Sequence, residues 1–133
     1  MNIAILCPSE IALRRFMPAL QCCHCFVFFG IGKASPEEWF GSRVSSVSTE
    51  EIDAQQQREK DKADVFISQY GGKVFDSYED VVSSQGPDAV YIPLPPGLHF
   101  RWARAALQAG QHVLVEKPAT TTLAETQELI SRQ

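Results

Sequence analysis

No hydrophobic run in this sequence is long. The longest apolar stretch, Phe26 to Ile31, falls far short of the roughly 20 residues that a membrane-spanning helix needs. Positive charge is not in excess either: 12 basic side chains face 16 acidic ones, for a formal net charge of −4. A chain so balanced has no electrostatic footprint for nucleic acid or an anionic membrane, and neither partner is expected. No basic leader precedes the first apolar run, so a secretory signal is not expected and the cytoplasm is the default compartment. Cysteine is sparse and oddly spread, with Cys7 alone and Cys22, Cys23 and Cys25 around His24. A zinc reading of Cys22-Cys23-His24-Cys25 meets two objections. Neighbours on an extended strand point to opposite faces, and no second ligand pair follows. Reduced thiols near a strand start, with no metal, are the plainer expectation.

What is present is alternation of strand and helix signals within a length that suits one domain, at 133 residues and 44% hydrophobic content. Asn2 to Cys7 reads as a first strand, and Ser9 as the cap of a helix from Glu10 that places Ile11, Ala12, Phe16 and Leu20 inward. Pro18 is expected to end or kink that helix. Cys25 to Ile31 reads as a second strand buried on both faces, Ser35-Pro36 as the entry to a brief helix, and Gly41 to Ser48 as a loop. A long helix is expected from Thr49, itself the cap, to Tyr70, with Gln55 to Asp64 as a solvated face. Lys73 to Asp76 makes a short third strand, and Ser77 caps the next helix. Ala89 to Leu94 is the fourth strand, His99 to Ala109 a helix, and His112 to Val115 the fifth strand. A last helix starts near Thr122. Without internal repeats, this alternation predicts an α/β doubly wound parallel sheet, Rossmann-like, in strand order 3-2-1-4-5.

Such folds hold a dinucleotide pyrophosphate at the first strand-to-helix turn, where glycines serve the tight turn, the close approach of phosphate and the packing of helix on sheet. Here those glycines are missing: the turn reads Cys7-Pro8-Ser9-Glu10-Ile11-Ala12. Ala12 is small enough for the third position, and Ser9 is tolerable at the second. Cys7 lacks glycine's backbone freedom, and Pro8 withdraws an amide donor. Glu10 puts a carboxylate where an anion would dock; at ~6 Å from one phosphate charge, repulsion would be roughly 0.7–3 kcal/mol. The turn alone is compatible with a dinucleotide site and with a capped turn that holds no ligand. No acid follows the second strand to take ribose hydroxyls. Lys33, helped by Ser35, could instead receive a 2′-phosphate, or could be a plain surface lysine.

The stretch Tyr91-Ile92-Pro93-Leu94-Pro95-Pro96-Gly97-Leu98-His99-Phe100, followed by Ala105 to Gly110 and then by His112-Val113-Leu114-Val115-Glu116-Lys117-Pro118, resembles the Gfo/Idh/MocA oxidoreductases. In particular it looks like the subgroup with NADP-dependent xylose and dihydrodiol dehydrogenases. The resemblance covers essentially the whole chain, loosely over residues 36 to 60. It implies NADP or NAD as cofactor and hydride transfer at a CH–OH carbon of a sugar-like or polyol substrate. Lys117 would be the catalytic residue, its ammonium on the substrate oxygen beside the nicotinamide. Pro118 would fix the backbone that aims it, and Glu116 would hold the ribose or the lysine. Pro95 and His99 match the family's P-N-x-x-H turn near the nicotinamide, although its Asn is Pro96 here. The implied cofactor-binding set is Cys7, Ser9, Glu10, Ile11, Ala12, Lys33, Ser35, Pro93, Leu94, Pro95, His99, Glu116, Lys117 and Pro118.

Members of that family are well over twice as long. A sixth strand and a C-terminal substrate and dimerisation domain would follow, so the expectation for residues 1–133 is a dinucleotide-binding domain cut short before them. Such a fragment would be inactive alone, and a homodimer or higher oligomer would need the missing domain. The alternative is a degenerate Rossmann domain that has lost its cofactor and serves binding or assembly.

Overall fold

The computed structural model describes residues 1–116 and 122–132. Five parallel strands form one sheet in the order β3-β2-β1-β4-β5. They are β1 (Asn2–Leu6), β2 (Val27–Gly32), β3 (Lys73–Phe75), β4 (Ala89–Ile92) and β5 (His112–Val115). The central β1 pairs with β2 on one side and β4 on the other, so the chain reverses its direction of winding there. This is the doubly wound topology that the alternation of elements predicts.

Side chains of a strand alternate between faces, and β1 divides the core accordingly. Ala4 and Leu6 join Val90, Ile92, Val81, Trp102 and Ala106 in one cluster, under α4 (Tyr78–Ser83) and α5 (Pro96–Gln108). Ile3 and Ile5 join Ile31, Tyr91, Ala12, Met17, Ala63 and Phe66 on the opposite face. That second face is covered by the first helical segment and by α3 (Thr49–Tyr70). β5 is the sheet edge; His112 and Leu114 are exposed, so burial on both faces stops at β4.

Several local expectations are corrected. Pro18 does not end the first helix. The segment opens with a π-helical turn, Ala12–Phe16, in which Met17 N–H reaches back to the Ala12 carbonyl, and α1 (Met17–Gln21) follows. Pro18 thereby falls in the first turn of α1, where a missing N–H is tolerated. Ile11 is 48% exposed, off the inward stripe. β2 starts at Val27, two residues later than its apolar run, because Cys25 and Phe26 lie before the pairing with β1 begins. After α2 (Pro36–Phe40), residues Gly41–Ser46 form a 3-10 turn where a loop is predicted. The cap of α3 is Ser48, whose hydroxyl accepts from Glu51 N at 3.2 Å, one residue before Thr49. β4 ends at Ile92 and α5 begins at Pro96, a residue preorganised for a first helical position. Ser77 caps α4, as its sequence predicts, and Thr122, where the last helix is expected to start, is the cap of α6 (Leu123–Ser131).

The middle of α3 carries the largest correction. Gln55 and Glu59 are buried, at 0% and 2% exposure, with Ala63 and Phe66 continuing the same stripe. The supposed solvated face is solvated only in part.

Among the described residues no helix is long and apolar enough to cross a membrane. No cluster of His, Cys, Asp and Glu there could hold a metal ion. All four cysteines are free, and Cys22, Cys23 and Cys25 are exposed.

Candidate functional site

The carboxyl ends of β1 and β4 separate at the point where the winding reverses, which is where open α/β sheets bind ligands. The turn after β1 is held by its own backbone. Cys7 N donates to Gly32 O at 3.0 Å, and Ser9 N donates to Cys7 O at 2.8 Å. Cys7 has φ of 113°, a left-handed conformation that favours glycine. The chain thus takes the shape that the first glycine of a dinucleotide fingerprint provides, with a side chain in place. Ser9 Oγ accepts from Ala12 N at 3.2 Å, and Ala12 is fully buried against the sheet. Burial raises the Cys7 thiol pKa to about 11, opposed by a hydrogen bond with Tyr78. The same burial and the neighbouring Cys7 push the Tyr78 phenol upward.

Beyond β2, Lys33 Nζ lies 3.5 Å from Asp76 Oδ1. Ser35 is the cap of α2: its hydroxyl accepts from Glu38 N at 3.2 Å, while Ser35 N donates to Glu38 Oε1 at 3.0 Å. Glu38 also accepts from Tyr78 N at 2.8 Å and Glu79 N at 3.0 Å, so one carboxylate serves the starts of α2 and α4. Between them, Ala34 is gripped from α3. Its carbonyl accepts from Gln55 Nε2 at 3.2 Å and Gln56 Nε2 at 3.0 Å, and its N–H lies 3.5 Å from Glu59 Oε2. Burial raises the Glu59 carboxyl above its ordinary value of 4.5; the Ala34 N–H, Lys62, Arg58 and Lys33 oppose that shift. The spacing 55, 59, 63, 66 was visible in the sequence as a helical stripe, half of it polar.

Past β4, Leu94 is buried, Pro93 half-buried and Pro95 exposed. His99 is also buried, at 1% exposure, with Nε2 2.5 Å from Leu94 O. It therefore holds the backbone of the loop from beneath. At the end of β5, Glu116 accepts a hydrogen bond from the Tyr91 hydroxyl. Burial first, and then Glu116, raise the Tyr91 phenol. Lys117 and Pro118 lie outside the described residues.

A cleft of about 620 Å³ lies between the β1 turn, α2, α3 and the loop after β4. Cys7, Pro8, Ser9 and Glu10 form one wall, Pro95 closes one end, and Trp39, Glu59 and Lys62 lie along the α2–α3 side. Ile11 and Glu116 line a separate, smaller hollow of about 230 Å³ with Arg15 and Tyr91. Of the residues singled out from sequence, Cys7, Ser9, Glu10 and Pro95 meet in the larger cleft. Ala12, Lys33, Ser35, Pro93, Leu94 and His99 do not line it; Lys33 is paired with Asp76 and Ser35 is engaged with Glu38. The turn fits a dinucleotide in shape, through Cys7's glycine-like φ and the buried small residue at Ala12. Trp39, Glu59 and Lys62 were read as parts of a brief helix and a solvated face, because only the fold brings them to this turn.

Residues 25–132 match the family described as oxidoreductases with an NAD-binding Rossmann fold. The chain belongs to the Gfo/Idh/MocA oxidoreductase family. Among relatives within it, a dTDP-3,4-didehydro-2,6-dideoxy-α-D-glucose 3-reductase of Actinomadura kijaniata is 32% identical over 130 residues, 98% of this chain and 32% of that protein. A D-xylose 1-dehydrogenase (NADP+) of Haloferax volcanii is 54% identical over 52 residues, 39% of this chain and 16% of that protein. The crystal structure of KijD10, a 3-ketoreductase from Actinomadura kijaniata in complex with NADP and TDP-benzene, superposes with a TM-score of 0.76 at 30% identity. That superposition covers 99% of this chain and 33% of KijD10. The chain thus spans about a third of the length of the Actinomadura kijaniata reductase and of KijD10, and it matches their cofactor-binding domain.

Proposed function

We propose that residues 1–133 are the dinucleotide-binding domain of an NAD(P)-dependent oxidoreductase that acts on a CH–OH carbon of a sugar-like or polyol substrate. The observation that carries this reading is the cleft at the reversal of winding, where the glycine-like turn at Cys7 faces Pro95 across the ends of β1 and β4. The N–H groups of a helix's first turn lack partners within the helix and suit a pyrophosphate. Ser9 shapes that turn, Ala12 lets the helix sit close to the sheet, and Pro95 lines the same cleft from the loop whose Leu94 carbonyl the buried His99 holds. Lys33 and Ser35 are assigned to the adenosine end, where a 2′-phosphate distinguishes NADP from NAD; Lys33 would exchange Asp76 for the phosphate.

The nicotinamide, when bound, supplies or accepts the hydride. Glu116 stands at the end of β5 and is aimed by the Tyr91 hydroxyl. Lys117 follows it directly; its ammonium would hydrogen-bond the substrate oxygen and stabilise the charge that develops there. Substrate selection and the oligomer interface are assigned to the two-thirds of the relatives that this chain does not span. The dTDP-linked deoxyglucose in the name of the Actinomadura kijaniata reductase and the D-xylose in that of the Haloferax volcanii dehydrogenase make a sugar-type substrate the natural class.

A second reading has its own support. Glu10's carboxylate in the cleft and the side chain forced on Cys7 suit a domain that has given up its cofactor. Titration of NADPH and NADH into the 133-residue chain, followed by nicotinamide fluorescence, separates the two. Saturable binding of NADPH is expected. Absence of binding of either nucleotide at millimolar concentration would favour the cofactor-free domain. Lys33→Asp should weaken NADPH more than NADH; equal responses would remove Lys33 from the 2′-phosphate site.

A further inference from the structure

The cleft at the β1 turn has a side that the phosphate-binding pattern does not account for. Trp39 from α2 is 47% exposed and lines the cleft, although large aromatic side chains usually find cover. Lys62, one helical turn beyond the buried Glu59 on α3, lines the same cleft, where its charge acts on the Glu59 carboxyl. Glu59 cannot answer as a simple counter-charge for the region. Lys62, Arg58 and Lys33 all act on its carboxyl, three cations around one acid. Its Oε2 also faces the Ala34 N–H, where Gln55 and Gln56 hold the carbonyl of the same residue. These contacts dock the end of β2 against α3, and they fix where Lys62 and Trp39 stand relative to Cys7 and Ser9.

A planar aromatic face and an ammonium beside a phosphate-binding turn match the two chemical features of a 2′-phosphorylated adenosine. The purine offers a π-face for stacking, and the 2′-phosphate offers a dianion. We propose that Trp39 and Lys62 form the adenosine 2′-phosphate subsite of this domain, with Trp39 as the platform for the base and Lys62 as the cation for the phosphate. Glu59 is a positioning residue that holds the β2 end in register with them. The proposal rests on the reading of the cleft as a dinucleotide site and adds the element that chooses NADP. That element is the α2–α3 segment, in addition to the strand end where Lys33 lies.

The test compares wild type, Lys62→Gln and Trp39→Leu by calorimetric titration with NADPH, NADH and 2′,5′-ADP. Both substituted side chains are exposed, so the fold should survive, and far-ultraviolet circular dichroism verifies it. Lys62→Gln is expected to weaken NADPH and 2′,5′-ADP by about tenfold, through one charged hydrogen bond, and to leave NADH within about twofold. Trp39→Leu should weaken all three ligands by about fivefold or more. Tryptophan emission gives an independent readout. 2′,5′-ADP should quench the wild type more than Trp39→Leu, because Trp102 is buried in the core. If wild type binds NADPH and both variants bind it equally well, the subsite is wrong while the dinucleotide site stands. If Lys62→Gln weakens NADH as much as NADPH, Lys62 does not read the 2′-phosphate. If wild type binds none of the three, the dinucleotide site and the subsite fall together.

Discussion

The hydroxyl of Tyr91 on β4 donates to the carboxylate of Glu116 at the end of β5, joining two neighbouring strands of the sheet. The Tyr91 ring itself is buried and stacks on Phe16 with centroids 4.1 Å apart, so the hydroxyl has a fixed origin. Tyr91→Phe removes the donor and keeps the stack. It should cost about 1 kcal/mol of unfolding free energy in urea, the ordinary worth of one such bond. Combined with Glu116→Gln, the loss should be less than the sum of the two single losses. Additive effects would mean that the pair contributes nothing as a pair.

Cys7 offers a test of the turn. Its positive φ makes glycine the better residue on backbone grounds, against the usual order in which glycine costs stability. Cys7→Ala and Cys7→Gly both delete the thiol, so their difference isolates the backbone. Cys7→Gly should be the more stable by about 1 kcal/mol in denaturant melts. The reverse order would show that the turn does not hold this conformation. The thiol itself, with its pKa raised to about 11, should resist alkylation at pH 8. Mass spectrometry should find Cys22, Cys23 and Cys25, all exposed, modified well before it.

Glu59 makes stability depend on pH in a defined direction. Burial raises its carboxyl above 4.5, so the folded chain keeps this proton to higher pH than the unfolded chain does. Its contribution is therefore most favourable below about pH 4.5 and is lost as pH rises through the folded value. Glu59→Gln removes the titration and keeps an oxygen for the Ala34 N–H. The stability of this variant relative to wild type should rise between about pH 4 and pH 7. A gap that stays constant or narrows would contradict the burial cost.

Much of the architecture was legible because apolar runs and turn residues are local signals. The five strands and their order followed from the runs at Ile3, Phe28, Val74, Val90 and Val113, and Ser9, Ser77 and Thr122 announced their helices. The failures share one cause: a residue's partner lay far along the chain. Gln55 and Glu59 look like solvated helix residues until Ala34, more than twenty positions away, claims their side chains. Pro18 looks like a stop until the widened turn before it removes the demand for its N–H. At the site, the turn at Cys7 was recognisable from position alone, whereas Trp39 and Lys62 reach the cleft only through the docking of α2 and α3. His99 lies within α5, and its burial makes it a support for Leu94.

The central claim, that this domain holds a nicotinamide dinucleotide across the β1 and β4 ends, is tested most directly by mapping NADPH onto isotope-labelled protein. Backbone amide shifts should be recorded through a titration to saturation. The account predicts shifts concentrated at Cys7, Ser9, Glu10, Ile11 and Ala12, with further changes at Leu94, Lys62 and Glu116. Shifts confined to the far side, along α6 and the β5 edge, or no shifts at millimolar NADPH, would contradict it.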